Sequence, residues 1–336
     1  MRRSIKVKRY VALLSLWVVC VPALLAQTDP QIGQYMYIQT AYNPAAAGEG
    51  DLMRVAGLHR MQFTGIKNAP MTTYVTFSSP FIIGKTKHAA GVRFLNDMYG
   101  LFSNQAFHVQ YAYRHKIGKG YLSAGIDLGF VNVAFRADSV NLKEIASVAS
   151  EGNYFTEVDD AIPRNTGGGK SDKGASGMGF DMSIGMYYTA PTWWVSASYS
   201  HLTRPKLRWS DKSEITLIGT LYMAGGYHHR FRSNRNWVLH PSMMVMTDFR
   251  NWDVNLTLMA EVKDRYRFGL GYRIAGSVNI LGSVEIISGL TLGYTYELPA
   301  NKLLLESFGS HELFLAYGFD ILKPRRTNRY KSVRYL

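Results

Sequence analysis

From residue 53 onward the chain alternates apolar and polar positions with period two, in segments of about ten residues bounded by Gly, Asn, Asp, Pro or Lys. That period belongs to strands, whose successive side chains point to opposite faces. Between 265 and 274 one face reads Tyr266, Phe268, Leu270, Tyr272, Ile274 and the other Arg265, Arg267, Gly269, Gly271, Arg273. Leu290 to Leu298 sets Leu290, Leu292, Tyr294, Tyr296 and Leu298 against Thr291, Gly293, Thr295 and Glu297, and His311 to Asp320 repeats the pattern. Fourteen such segments are predicted: 53–63, 71–81, 88–96, 104–115, 120–133, 178–190, 192–202, 219–231, 236–248, 252–263, 265–275, 277–287, 289–298 and 308–320.

The count and the spacing choose the architecture. An even number of antiparallel strands closes a single-chain bacterial barrel with both termini on the periplasmic side, where turns are short. If the first strand runs outward, the long connections 134–177, 203–218 and 299–307 all fall outside, and 116–119, Pro191, 232–235 and Asp264 fall inside. A soluble β-sandwich also alternates, but it turns its apolar face into a core and its charged face to water. Here the non-apolar face is rich in Gly, Ser and Ala, which suits a crowded polar lumen, and 22 tyrosines supply interfacial girdles. No apolar run after residue 30 approaches the length of a membrane-spanning helix. The expected fold is all-β: a transmembrane antiparallel up-and-down barrel of 14 strands over 53–320.

The first residues change the picture in one respect. Arg2, Arg3, Lys6, Lys8 and Arg9 precede an apolar run from Val11 to Ala26, the order of a secretory signal peptide cut after Ala26. Its removal lowers the net charge from +14 to +9 and takes away Cys20, the single cysteine, so disulfides contribute nothing to the exported chain. The remaining cations are dispersed among tyrosines and glycines, which excludes a nucleic-acid partner. Residues 27–52 are polar and contain proline. They cannot face lipid, and they are placed at the barrel mouth or in its lumen.

Candidate chemistry is sparse. There is no nucleophile elbow, zincin pair or phosphate-binding loop, and no cofactor or metal is expected. His228 and His229 are adjacent, so on a strand they face opposite sides. Arg265, Arg267 and Arg273 share one face; they form a lumenal charge ladder with acids such as Asp253 and Glu261, or a selectivity patch for anionic solute. Loop 134–177 carries Glu151, Glu157, Asp159 and Asp160 and a glycine run from Gly167 to Gly169, a solvated external loop rather than a calcium site. The tail 321–336 holds Lys323, Arg325, Arg326, Arg329, Lys331 and Arg334, which are either solvated or dock to a periplasmic partner or to outer-membrane lipid.

Several short pieces are less generic. Asp29-Pro30-Gln31, Gln34-Tyr35-Met36 and Tyr42-Asn43-Pro44-Ala45, closing at Gly48, resemble the start of the PorP/SprF family of the type IX secretion and gliding systems. The resemblance runs on through Arg60, Gln62, Phe63 (where the family usually has tryptophan), Gly65, Ile66, Ala69 and Pro70. Further matches are Asn96-Asp97 with Gly100, Tyr111-Ala112-Tyr113, Phe268-Gly269, Gly271-Tyr272-Arg273, Gly293-Tyr294 and Ser310-His311-Glu312. It implies a non-enzymatic outer-membrane barrel that binds periplasmic ring and peptidoglycan-binding components, or a secreted surface adhesin, or both. Gln34, Tyr35, Asn43 and Pro44 in the early motif, with Lys323, Arg325, Arg326 and Arg329 in the tail, are the candidate partner-binding residues. The competing expectation is a porin or hydrophobic-solute transporter, since fourteen strands enclose a lumen wider than that of a filled eight-stranded barrel.

Overall fold

The computed structural model describes residues 29–135, 176–210, 213–232, 234, 236–274, 276–300 and 306–320. Among the described residues there are seventeen strands: β1 (Met53–Met61), β2 (Met71–Ile83), β3 (Thr86–Tyr99), β4 (Phe102–Ile117), β5 (Gly120–Phe135), β6 (Ser176–Thr189), β7 (Trp193–Ser200), β8 (Lys206–Ser210), β9 (Ser213–Thr216), β10 (Thr220–Tyr227), β11 (His229–Arg230), β12 (Trp237–Thr247), β13 (Trp252–Val262), β14 (Tyr266–Arg273), β15 (Ser277–Ile287), β16 (Leu290–Pro299) and β17 (Ser310–Phe319). Each pairs antiparallel with its neighbours, β1 pairs with β17, and β10 pairs with both β7 and β12. The sheet is therefore closed, with fourteen strands around it. β11 continues β10 and pairs with β12, and β8 with β9 forms a separate hairpin. Closure is what hydrocarbon demands, because an open edge would leave backbone donors and acceptors unpaired.

All fourteen predicted segments are wall strands, with ends displaced by a few residues. One placement needs correction. Arg265 is not on the strand face shared by Arg267 and Arg273. It sits in the turn before β14, exposed, and its guanidinium donates to the carbonyls of Glu285 and Ile286. The tight connection between β13 and β14 uses Lys263, Asp264 and Arg265, and Lys263 and Asp264 adopt positive φ there, so the ladder cannot start earlier.

Alternation runs along the wall strands, broken at the irregularity between Glu285 and Ile287 in β15. Leu270, Phe268, Leu256, Ile280, Leu313 and Phe130 point outward and are exposed, whereas Thr257, Arg267, Asn279, Glu312 and Asp127 on the same strands point inward and are buried. The outward aromatics gather near the strand ends. Tyr113, Tyr188, Trp193, Tyr227, Trp237 and Tyr266 lie toward the end where β1 begins and β17 finishes, and Tyr199, Phe249, Trp252 and Tyr272 lie toward the other. Two such bands are the girdles of a membrane barrel, and the short turns at the first of these ends, 84–85, 118–119 and 263–265, mark it as periplasmic. The loop 134–177 lies, apart from its ends, outside the described residues, as do the signal segment 1–26 and the tail 321–336.

Candidate functional site

The lumen is occupied. Residues 29–51 enter near the loop-bearing end, descend through the barrel in three short 3-10 turns (Gln39–Ala41, Pro44–Ala46 and Glu49–Asp51), and leave at the periplasmic end into β1. Ile32, Tyr35, Tyr37, Ile38, Ala41, Asn43, Ala45 and Ala47 are all buried. A short irregular segment cannot satisfy all of its backbone groups within itself, so the wall must supply the remaining partners. It does. Arg93 donates to the carbonyl of Ala41 (2.9 Å), Gln110 to Thr40 (2.9 Å), Ser198 to Tyr42 (2.6 Å), Arg54 to Tyr37 (2.5 Å), and Arg114 to Gly48.

Near the loop-bearing end the plug completes an ion network. Arg60 meets Glu297 at 2.6 Å and Glu312 at 3.3 Å, and Arg273 meets Glu297 at 2.7 Å and Asp253 at 3.5 Å. The wall alone thus sets three carboxylates against two guanidiniums. The backbone N–H groups of Gly33 and Gln34 donate to the two oxygens of Glu312 at 2.9 and 2.7 Å, and Gln31 takes a further bond from Arg273 at 2.7 Å. Buried charge is tolerated only when its lone pairs and protons are satisfied. The plug gives Glu312 two donors that the wall does not supply.

A second latch holds Asp29. His201, turned into the lumen with φ of 51°, lies 2.9 Å from Asp29 and 2.8 Å from Asp181, which also faces His108 at 3.2 Å. Tyr222 (2.6 Å) and Ser200 (3.0 Å) donate to the other Asp29 oxygen. Burial alone would lower the His201 pKa, but the carboxylates of Asp29 and Asp181 outweigh it and hold it above the ordinary histidine value.

The motif Tyr42-Asn43-Pro44-Ala45 seats itself on bare backbone. A Cβ on Gly185 would collide with the Asn43 side chain, and one on Gly125 would collide with the Pro44–Ala45 backbone. Asn43 caps the 3-10 turn through its own Oδ1, which accepts from Ala45 N–H (2.9 Å), while Nδ2 donates to the carbonyls of Met186 and Ala197. Aromatic pairs fill the remaining space: Tyr37 on Phe314, Tyr42 on Tyr222, and within the wall Tyr187 on Trp194.

The candidate residues therefore divide. Gln34, Tyr35, Asn43 and Pro44 lie inside the barrel, bound to or packed against the wall. Arg267 and Arg273 face the lumen and pair with Glu261 (2.5 Å) and with Glu297 and Asp253, while Arg265 stands apart at the rim. Lys323, Arg325, Arg326 and Arg329 lie outside the described residues. Part of the 203–218 connection, read from sequence as a displayed loop, folds inward as the β8–β9 hairpin, burying Leu207 and Leu217. His228 and His229 do face opposite ways: His228 meets His240 inside, and His229 lies with Tyr227 and Phe231. Sequence reasoning missed Arg60, Glu297, Glu312, Asp29 and His201 as one system, because their partners lie up to 279 positions apart. For Arg60, Glu297 and Glu312 the signal available was a charged residue on the lumenal face of β1, β16 and β17.

Between plug and wall a cavity of about 20 Å³ remains, lined by Met36, Tyr37, Trp194, His240, Ser242 and Met259 among others. It has room for a single water. It sits where Pro241, opposite Tyr227 in the register, cannot donate to the ladder and the β10–β12 pairing is interrupted.

A closed fourteen-stranded barrel with an apolar outer belt, a charged lumen and an internal plug defines a transmembrane protein of outer-membrane type. The profile of the family described as type IX secretion system membrane protein PorP/SprF matches residues 24–317. The chain belongs to that family. No curated protein matches it. Solved structures similar in fold include the P. putida toluene transporter TodX (10% identity, 88% of this chain and 95% of that chain, TM-score 0.45) and CymD, a monoaromatic hydrocarbon channel (12%, 88% and 95%, 0.44). The Acinetobacter baumannii outer membrane protein Omp33 is a third (8%, 80% and 98%, 0.44). Likeness at this level transfers neither substrate nor mechanism.

Proposed function

We propose that this chain is a plugged, non-enzymatic outer-membrane component of the type IX secretion apparatus that acts by binding other proteins, not by passing solutes. Its partners are a secreted surface protein or adhesin, periplasmic ring and peptidoglycan-binding components, or both. Delivery to the outer membrane follows export with the signal peptide cut near Ala26. The carrying observation is the lumen: residues 29–51 fill it and satisfy the Glu312 carboxylate through Gly33 and Gln34. A diffusion channel needs a continuous aqueous path, and the buried segment 29–51 stands in its place. Family membership supports the secretion role.

Two measurements test the reading. Purified protein in planar bilayers should be electrically silent; steady conductance at neutral pH would instead favour a porin or hydrophobic-solute transporter. Cross-linking in intact cells followed by purification should recover secretion components or a large surface protein. Recovery of the barrel alone would overturn the interaction role.

A further inference from the structure

At the periplasmic end the inner face of the wall continues past the plug. On β2, Thr72, Tyr74, Thr76 and Ser78 face the lumen and are buried. Pro80 lies against Gly48 of the plug. Ile82 is next on that face, and it is 70% exposed. By alternation it points toward the barrel axis, away from lipid, while Phe81 and Ile83 on either side point outward. Membrane contact therefore explains Ile83 and leaves Ile82 unexplained.

Its surroundings are cationic. Ile82 is opposite Lys87 in the register, and Lys87 is opposite Arg114. Both cations cover the ring of Tyr121, at 4.7 and 5.3 Å, and both are engaged by the plug's base: Lys87 with Asp51 at 2.6 Å, Arg114 with Asp51 at 3.0 Å and Glu49 at 3.6 Å. The acids at this site are thereby used. Lys116, two residues beyond Arg114 on the same face, and Lys85 and Lys119 in the adjoining turns are exposed and form no ion pair among the described residues. The result is an exposed aliphatic side chain on the same lip as three exposed cations.

We propose that this lip, built from the β2–β3 and β4–β5 turns, is a docking surface for an acidic segment of a periplasmic protein. One apolar side chain of that segment covers Ile82, and its carboxylates meet Lys85, Lys116 and Lys119. Charge complementarity selects the occupant, since like-charged contacts repel while opposite ones steer association. The chain's own tail does not fit, because it carries Lys323, Arg325, Arg326, Arg329, Lys331 and Arg334. Phospholipid phosphates can reach the turn lysines from outside, but acyl chains cannot cover a side chain on the lumenal face. The inference rests on reading the barrel as an interaction protein and names one surface that such a partner uses.

The test places a photoreactive benzoylphenylalanine at position 82 or at position 83 in the full-length protein in cells. Position 82 should give a protein adduct and position 83 none, and the linked peptide, mapped by mass spectrometry, should be net acidic. Combining Lys85→Glu, Lys116→Glu and Lys119→Glu should abolish the adduct, while Lys67→Glu with Arg250→Glu at the opposite end should leave it. Heat-modifiable electrophoretic mobility checks that each variant still forms a barrel. An adduct only to lipid or to this same chain, a neutral or basic linked peptide, persistence after charge reversal, or no adduct from a folded barrel each overturns the proposal. Export of surface proteins in a strain lacking the chain is scored separately. Normal export there would remove the secretion role, whatever position 82 reports.

Discussion

The outer belt and the lumen are built from the same strands, one residue apart, yet they hold the molecule together in different ways. Leu256, Leu258, Leu270 and Ile280 face lipid, where any side chain of similar polarity serves. Arg60, Glu297, Arg273 and Glu312 face one another at 2.6 to 3.3 Å, and each answers to a particular partner. The belt encodes a solvent preference, and the lumen encodes a specific complex between the wall and the plug. Substitutions should therefore be forgiven outside and costly inside.

The sharpest test is removal of residues 29–51. The wall cluster would then lose the Gly33 and Gln34 donors, and water would have to enter to solvate it. The silent barrel should become conducting in planar bilayers; a deletion variant that folds and stays silent would show that something other than the plug seals it. Next in size is Arg60→Ala, which leaves Glu297 and Glu312 buried with one fewer cation and should cost roughly 3–5 kcal/mol. A urea midpoint for refolding into detergent micelles measures it, and a loss below about 1 kcal/mol would refute the lumenal network as a stabilising complex. Gly185→Ala adds one methyl where Asn43 sits, so about 1–3 kcal/mol of strain is expected, read as faster protease cleavage within 29–51.

A smaller, pH-dependent effect is expected at His201. Its folded-state pKa is raised, so its contribution is complete below the unfolded value, about 6.5, and is lost as pH climbs through the folded value. Protease protection of the plug should accordingly weaken from neutral toward alkaline pH, and more steeply in the native protein than in His201→Gln. Equal slopes would remove His201 as the titrating latch. Smallest is Leu270→Val on the belt, where a change within about 0.5 kcal/mol is expected. A large loss there would erase the contrast between the two faces.

How much of this was legible beforehand follows from the range of each interaction. Phe268 and Leu270 announce their strand and its lipid face through neighbours two positions away, and the same holds around the barrel. Arg267 was readable with Glu261 because they lie on adjacent strands joined by a tight turn. Arg265 was misplaced by one position, since period two carries no information about where a turn begins. Asp29 and His201 were invisible as a pair: 172 residues separate them, and the motif that begins at Asp29 does not name its partner. Tyr42-Asn43-Pro44-Ala45 stood out as unusual, but its seat on Gly125 and Gly185 is a matter of two surfaces meeting.

The sequence by itself determined the fourteen strands, the face each turns to lipid, and the family, because alternation and turn residues act over a few positions and a bilayer leaves an all-β chain little choice but to close. Only the tertiary structure decided that the lumen is filled, which charges are paired, and that Ile82 lies bare on the periplasmic lip. Those outcomes depend on a segment at one end of the chain reaching β6, β14 and β17, and charge pairing across such distances is set by how the barrel closes.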